Sequence, residues 1–138
     1  MSRVVQAARG WIGTPYVHQA SAKGAGCDCL GLLRGVWQEL AGAPPEVPPP
    51  YTPDWGEPQR AELLHEAALR HLAPLEAPGP GDLLLFRMRA GSVAKHLGIC
   101  TGAGFVHAWQ GHGVVESAFT APWRRRLAAA FALAARLD

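Results

Sequence analysis

Two reactive residue types stand out in this chain of 138 residues: three cysteines (Cys27, Cys29 and Cys100) and six histidines. A free thiol is only slightly ionised near neutral pH. A nucleophilic cysteine therefore needs a setting that favours the anion and a base to take its proton. Cys29 follows Asp28 at the head of a stretch in which Leu32, Leu33, Val36, Trp37 and Leu40 recur at spacings of three and four, up to Gly42. Asp28 is then a helix N-cap and Cys29 lies in the first turn, where unpaired N–H groups and the helix dipole favour a thiolate.

The second half of the chain supplies the base. His96 opens one strand-like run and His107 lies on the next, across a tight hairpin at Gly102 and Gly104. That arrangement can set two imidazoles side by side, one orienting the other. His112, in the following turn, is an alternative orienting residue or a substrate contact. Zinc accepts these same residue types, but Cys27-Asp28-Cys29 has one intervening residue where a knuckle has two, and no second pair mirrors it. No metal and no other cofactor is expected. Three cysteines cannot all pair, and a Cys27–Cys29 bridge would close a strained ring, so thiols remain for chemistry.

The elements that must position these groups can be read from the pattern. Ser2 caps a short helix through Val4, Val5, Ala7 and Ala8 that ends near Gly10 or Gly13, and Thr14 to Gly26 is irregular. Gly31 and Gly35 weaken the cysteine helix, so something must approach that face closely. Seven of the twelve prolines fall between Ala43 and Pro58, a stiff extended connection rather than a domain boundary. A second helix is expected from Gln59 to Leu72. Strands are expected at 83–86, 95–100, 105–109 and 114–117, and the end from Arg124 to Leu137 fits either a helix or a last strand through Ala130 to Leu133. Helices first and an antiparallel meander second indicate an α+β fold, in one domain spanning 1–138.

Composition bounds the function. Apolar residues make up 49% and charged residues 17%, a globular balance, and the net charge of +2 is too small and scattered to indicate nucleic acid. No apolar run approaches the roughly 20 residues a membrane helix needs, so no stable membrane insertion is expected. Met1 to Gln6 lacks the apolar stretch of a secretory signal, so export is expected to depend on a carrier.

Five motifs occur in order: Gly13-Thr14-Pro15-Tyr16, Gly26-Cys27-Asp28-Cys29-Leu30-Gly31-Leu32, Pro80-Gly81-Asp82-Leu83-Leu84-Leu85-Phe86, His96-Leu97-Gly98-Ile99 and Phe105-Val106-His107-Ala108. Together they resemble the signatures of NlpC/P60 cell-wall peptidases. Trp11 to Ser21, Gly26 to Trp37, Tyr51 to Trp55 and Gly111 to Ser117 are similar to the phage and gene-transfer-agent members. The resemblance implies a papain-like α+β fold, with the nucleophile helix packed on a small antiparallel sheet. It implies Cys29 as nucleophile, His96 as general base and His107 as the residue orienting His96. Tyr16 would stabilise the oxyanion with the backbone N–H of Cys29; otherwise it is a hydroxyl-tipped core aromatic. Asp28 would bind a substrate amine or serve only as the cap, and His18 would touch substrate or stand exposed in its loop. Leu30 replaces a serine usual after the nucleophile, which alters that subsite.

The implied substrate is the peptide stem of peptidoglycan, commonly cut between D-glutamate and the diamino acid. The implied setting is a phage-like tail or gene-transfer particle, with tail-tip or baseplate proteins as partners and the periplasm of the target cell as place of action. Two alternatives differ in class: a structural tail-tip subunit that keeps the fold for docking, and an amidase or acyltransferase using the same thiol.

Overall fold

The computed structural model describes residues 2–46, 48–51 and 62–138. Helix α1 (Arg3–Arg9) is capped by Ser2, whose Oγ accepts from Val5 N at 3.2 Å. Strands β1 (Ser21–Ala22) and β2 (Gly26–Cys27) form a small hairpin within the stretch expected to be irregular, and β2 leads directly into α2 (Cys29–Ala41). Helix α3 (Leu63–His71) follows the proline-rich connection; the expected start at Gln59, like Thr52 to Trp55, lies outside the described residues. Then come β3 (Pro74–Leu75), β4 (Leu83–Phe86), β5 (His96–Cys100), β6 (Gly104–Trp109), β7 (Gly113–Ala118), α4 (Ala121–Arg126), β8 (Leu127–Phe131) and α5 (Leu133–Leu137).

The chain is α+β, as expected. Its six-stranded antiparallel sheet has the order β3-β8-β4-β5-β6-β7. The ambiguous end of the chain resolves into both of its readings. Trp123-Arg124-Arg125-Arg126 is helical, and β8 begins at Leu127 and stops at Phe131, earlier than the expected strand. β8 inserts between β3 and β4, with Leu84 opposite Ala130 and Leu83 opposite Phe131. Small alanines fit this crowded place, and only the tertiary slot beside β4 selects strand over alanine's helical preference.

Both faces of the sheet are covered, which is why Leu83-Leu84-Leu85-Phe86 is apolar at every position and buried throughout. On one face Leu83, Leu85, Leu97 and Ile99 pack with Val4 and Ala8 of α1 and Leu32, Val36 and Trp37 of α2. On the other, Leu84, Phe86, Cys100 and Phe105 pack with Phe119 and Trp123. Burying each such side chain contributes about 1.5–3 kcal/mol relative to exposure. The close approaches implied by the α2 glycines are real. A Cβ on Gly31 would lie 1.8 Å from the Ala20 carbonyl oxygen, and one on Gly35 would lie 2.1 Å from the Trp11 ring. These contacts lock the loop before the cysteine, and α1, onto the helix that carries it.

Candidate active site

Cys29 is the first residue of α2, and Asp28 is its N-cap with extended backbone. Asp28 is 2% exposed and both oxygens of its carboxylate are engaged. Oδ1 accepts from Gly31 N at 2.7 Å, while Oδ2 accepts from Gln19 N at 2.8 Å and from the Tyr51 hydroxyl. The capping role is thus occupied, and every bond of this carboxylate fixes the loop and helix start around Cys29. His18 belongs to the same knot. Its Nε2 lies 2.8 Å from the Tyr51 carbonyl oxygen and its Nδ1 lies 3.8 Å from Asp28 Oδ2, so it straps Tyr51 to the loop. Tyr51 is the residue sequence reasoning left without a role here; a tyrosine after a proline run carries no periodic signal.

Tyr16 pairs with Cys27 in an isolated bridge, flanked by Cys27 N to Pro15 O and Val17 N to Cys27 O, both at 3.0 Å. Its loop therefore runs alongside β2, immediately before Cys29. Burial, with Cys29 and Asp28 nearby, pushes its phenol up to about 12, so it remains a hydrogen donor. Cys27 is wholly buried beneath this loop, and burial pushes its thiol up to about 12. All three cysteines are free. Among the described residues, no three His, Cys, Asp or Glu side chains converge as metal ligands.

The thiol of Cys29 meets β5 at the residues on either side of His96. Its Sγ donates to the Lys95 carbonyl at 3.6 Å, and the Leu97 N–H stabilises the sulfur anion, as do those of Leu30 and Cys29. These donors oppose burial without overcoming it, and the thiol stands raised to about 12. The N–H groups of the helix start favour the anion, as its position implies, and burial opposes them. His96 is likewise kept neutral. Burial and the neighbouring His107 lower it from 6.5 to about 3.

His96 Nε2 lies 2.7 Å from His107 Nδ1, and the rings meet edge to face at 5.0 Å between centroids. His107 is completely buried, lowered to about 4 by burial and by His112. Its Nε2 lies 2.8 Å from Ser117 Oγ on β7. The three side chains form one line across β5, β6 and β7. Ser117 is the member sequence reasoning missed. Its signal was the hairpin register, in which His107 faces Val115 and Ser117 lies two residues on, on the same face. His112 does not reach His96; it is exposed and stacks on Trp109 at 4.4 Å, and Trp109 in turn stacks on His107 at 5.7 Å. Of the two orienting candidates, the structure therefore bonds His107 to His96.

Leu30 points into a different space. With Leu33, Trp37, Leu64 and Leu97 it lines an apolar cavity of about 80 Å³ between α2 and α3. Chemically, the arrangement offers a thiol touching the chain on either side of His96, a neutral imidazole braced by His107, and backbone N–H donors at a helix start, which together suit acyl transfer.

The NlpC/P60 family model matches residues 13–131. The γ-DL-glutamyl hydrolase of Bacillus subtilis (strain 168) is 33% identical over 115 residues, which cover 83% of this chain. The chain spans only 24% of that relative's length. Among solved structures, the NlpC/P60 domain of the peptidoglycan hydrolase SagA is similar at 24% identity and a TM-score of 0.63, covering 94% of this chain and 96% of that one. An NlpC/P60 family protein from Bacillus cereus gives a TM-score of 0.67 at 18% identity, over 95% of this chain and 39% of the other. These structures share the papain-like fold of the family.

Proposed function

The chain belongs to the NlpC/P60 family, and from that premise we propose that it is a cysteine endopeptidase that hydrolyses γ-glutamyl bonds in the peptide stems of peptidoglycan. The observation that carries the proposal is the seating of Cys29 between the Lys95 carbonyl and the Leu97 N–H, the two neighbours of a histidine braced by His107 and Ser117. The names of the Bacillus subtilis relative and of SagA support the bond and the polymer respectively.

In this reading Cys29 attacks the scissile carbonyl while His96 Nδ1 takes the thiol proton. That requires the other nitrogen, Nε2, to carry a hydrogen, which it donates to His107 Nδ1; His107 Nε2–H then donates to Ser117 Oγ. Two neutral partners exchange a proton only as the carbonyl is attacked, so the reactive anion is never held in an apolar site without a substrate. The Cys29 N–H and the Tyr16 hydroxyl receive the oxyanion. His96 returns its proton to the departing amine, and water then cleaves the thioester with His96 again as base. Asp28 and His18 act by holding the loop, and His112 extends the aromatic wall beyond His107.

The proposal extends to setting: carriage on a phage-like particle and action in the recipient's periplasm, supported by the resemblance of Trp11 to Ser21 and Gly111 to Ser117 to particle-borne peptidases. Purified particles lacking the protein would exclude that part alone. For the chemistry, purified protein is incubated with peptidoglycan beside Cys29→Ala and the fragments are weighed. Products with a new amine on the diamino acid, absent with the variant, are expected. Loss of an amide at the sugar end would instead indicate an amidase, and no release by folded wild type would favour a docking role.

A further inference from the structure

The aromatic floor under His96 continues into a surface the reaction does not use. Trp123, 8% exposed, lies with its ring 6.0 Å from that of His96 and also contacts Phe86, Phe105 and Trp109. It belongs to α4, so burying it fixes the three residues that follow it in that helix: Arg124, Arg125 and Arg126. Arg124 Nε donates to the Phe119 carbonyl at 3.0 Å, with its guanidinium 4.5 Å over the Phe119 ring; Arg126 lies 5.3 Å over Trp123. Two of these guanidiniums are therefore held in place by packing.

Beside them is a cavity of about 290 Å³ lined by Arg87, Arg125, Arg126, Met88, Ala90 and Pro122. Its position is set by the sheet. Arg87 follows Phe86, which pairs with His96 across β4 and β5, and Arg87 N donates to the Arg126 carbonyl at 2.7 Å. The cavity therefore opens at the end of the sheet where His96 stands.

The charge of the helical arginines is unmatched. Arg87, on the same wall, is already paired with Glu62 at 2.7 Å, as Arg9 is with Glu116 at 3.0 Å, Lys23 with Glu39 at 3.2 Å and Arg70 with Glu46 at 2.7 Å. Among the described residues, no carboxylate lies within ion-pair distance of Arg124, Arg125 or Arg126. Adjacent like charges held without a counter-charge repel one another, and an incoming anion relieves that repulsion. Guanidinium forks match carboxylates in two-point geometry. Met88, Ala90 and Pro122 add an apolar wall for methylenes. A glutamyl side chain combines the same two features, two methylenes ending in a carboxylate.

We propose that this cavity is a carboxylate-binding subsite for a γ-glutamyl peptide chain running past the Cys29–His96 centre. The inference rests on the hydrolase reading for its choice of ligand. It makes the enzyme favour substrates that carry a free carboxylate some residues from the scissile bond over shorter or amidated ones.

The test is equilibrium binding of a fluorescent oligo-γ-glutamate to the full-length Cys29→Ala protein, which leaves the ligand intact, at low and high salt. Adding Arg125→Ser and Arg126→Ser is expected to weaken binding about tenfold, one exposed and one half-exposed charge contributing somewhat under 1 kcal/mol each. The same peptide with its carboxylates amidated is expected to bind as weakly as the double variant allows, with little salt dependence. Arg125→Glu alone, at an exposed side chain, tests the charge without touching the Trp123 contact. Unchanged affinity in both variants, or equal affinity for the amidated peptide, overturns the subsite. Equal, competing binding of a polyphosphate of matched charge overturns the peptide specificity in favour of a surface for anionic polymers. Cleavage of peptidoglycan stems by wild type is read separately: arginine-dependent binding of the oligo-γ-glutamate without stem cleavage refutes the hydrolase reading and leaves the subsite, and stem cleavage without arginine-dependent binding does the reverse.

Discussion

Acidification should destabilise this protein through its histidine pair, by an amount the structure allows to be worked out. His96 is 9% exposed and His107 is 0% exposed, and burial holds their pKa values at about 3 and about 4 against 6.5 for a free side chain. The unfolded chain therefore binds protons on these rings more readily than the folded one. The stability gained by keeping them neutral is fully present above the unfolded value of 6.5, and it is lost as pH falls towards the folded values. One pKa unit corresponds to about 1.4 kcal/mol, so moving from about pH 7 to about pH 5 costs about 2 kcal/mol for each ring and about 4 kcal/mol for both. Against a net stability of about 5–15 kcal/mol that is a large fraction. Urea unfolding followed by tryptophan fluorescence at the two pH values measures it. His107→Gln keeps one of the two buried imidazoles, and its loss over the same interval should fall to about 2 kcal/mol. Glu46 and Glu116, held below the usual carboxylate range by hydrogen bonds from Arg70 and Arg9, lose stability in the same direction, but equally in both proteins. An identical pH-dependent loss in wild type and His107→Gln would refute the reasoning.

Ser117→Ala removes the acceptor for the His107 N–H; kcat should drop about tenfold with KM little changed, and Ser117→Thr should restore it, as steady-state kinetics will report. Asp28→Ala leaves the Gly31 and Gln19 N–H groups and the Tyr51 hydroxyl without their acceptor, and should cost about 3 kcal/mol in denaturant unfolding as well as activity. Gly35→Ala forces Trp11 away from α2 and should lower stability by about 1–3 kcal/mol, lowering Tm while activity per folded molecule survives. Cys29→Ala should abolish peptide release with Tm within a few degrees of wild type, because the small, half-buried side chain adds little packing.

Much of this molecule was legible in its sequence, because the relevant signals are local. The Asp28 cap and the three-and-four spacing after it place Cys29 at a helix start, and the structure has that helix from Cys29 to Ala41. Gly31 and Gly35 in a helix imply close neighbours, and the Ala20 carbonyl and the Trp11 ring occupy those places. The hairpin at Gly102 to Gly104 brings His96 and His107 onto neighbouring strands, and their bond follows from that. Leu83 to Phe86, apolar at every position, indicates a strand covered on both faces.

What tertiary structure alone decided depends on distant partners. The Tyr51 hydroxyl reaches Asp28 across 23 residues, so a carboxylate that the sequence places as a helix cap is also held by a distant side chain. The alanine-rich end becomes β8 only because a slot between β3 and β4 offers it backbone hydrogen bonds, which override helical propensity. His107 rather than His112 faces His96 because the register of β6 on β7 points one ring inward and leaves the other stacked on Trp109 in the turn. The upward push on the thiol has the same kind of origin. Helix position argues for a thiolate, but desolvation scales with all the atoms that fold around the sulfur, and no local pattern in the sequence counts those.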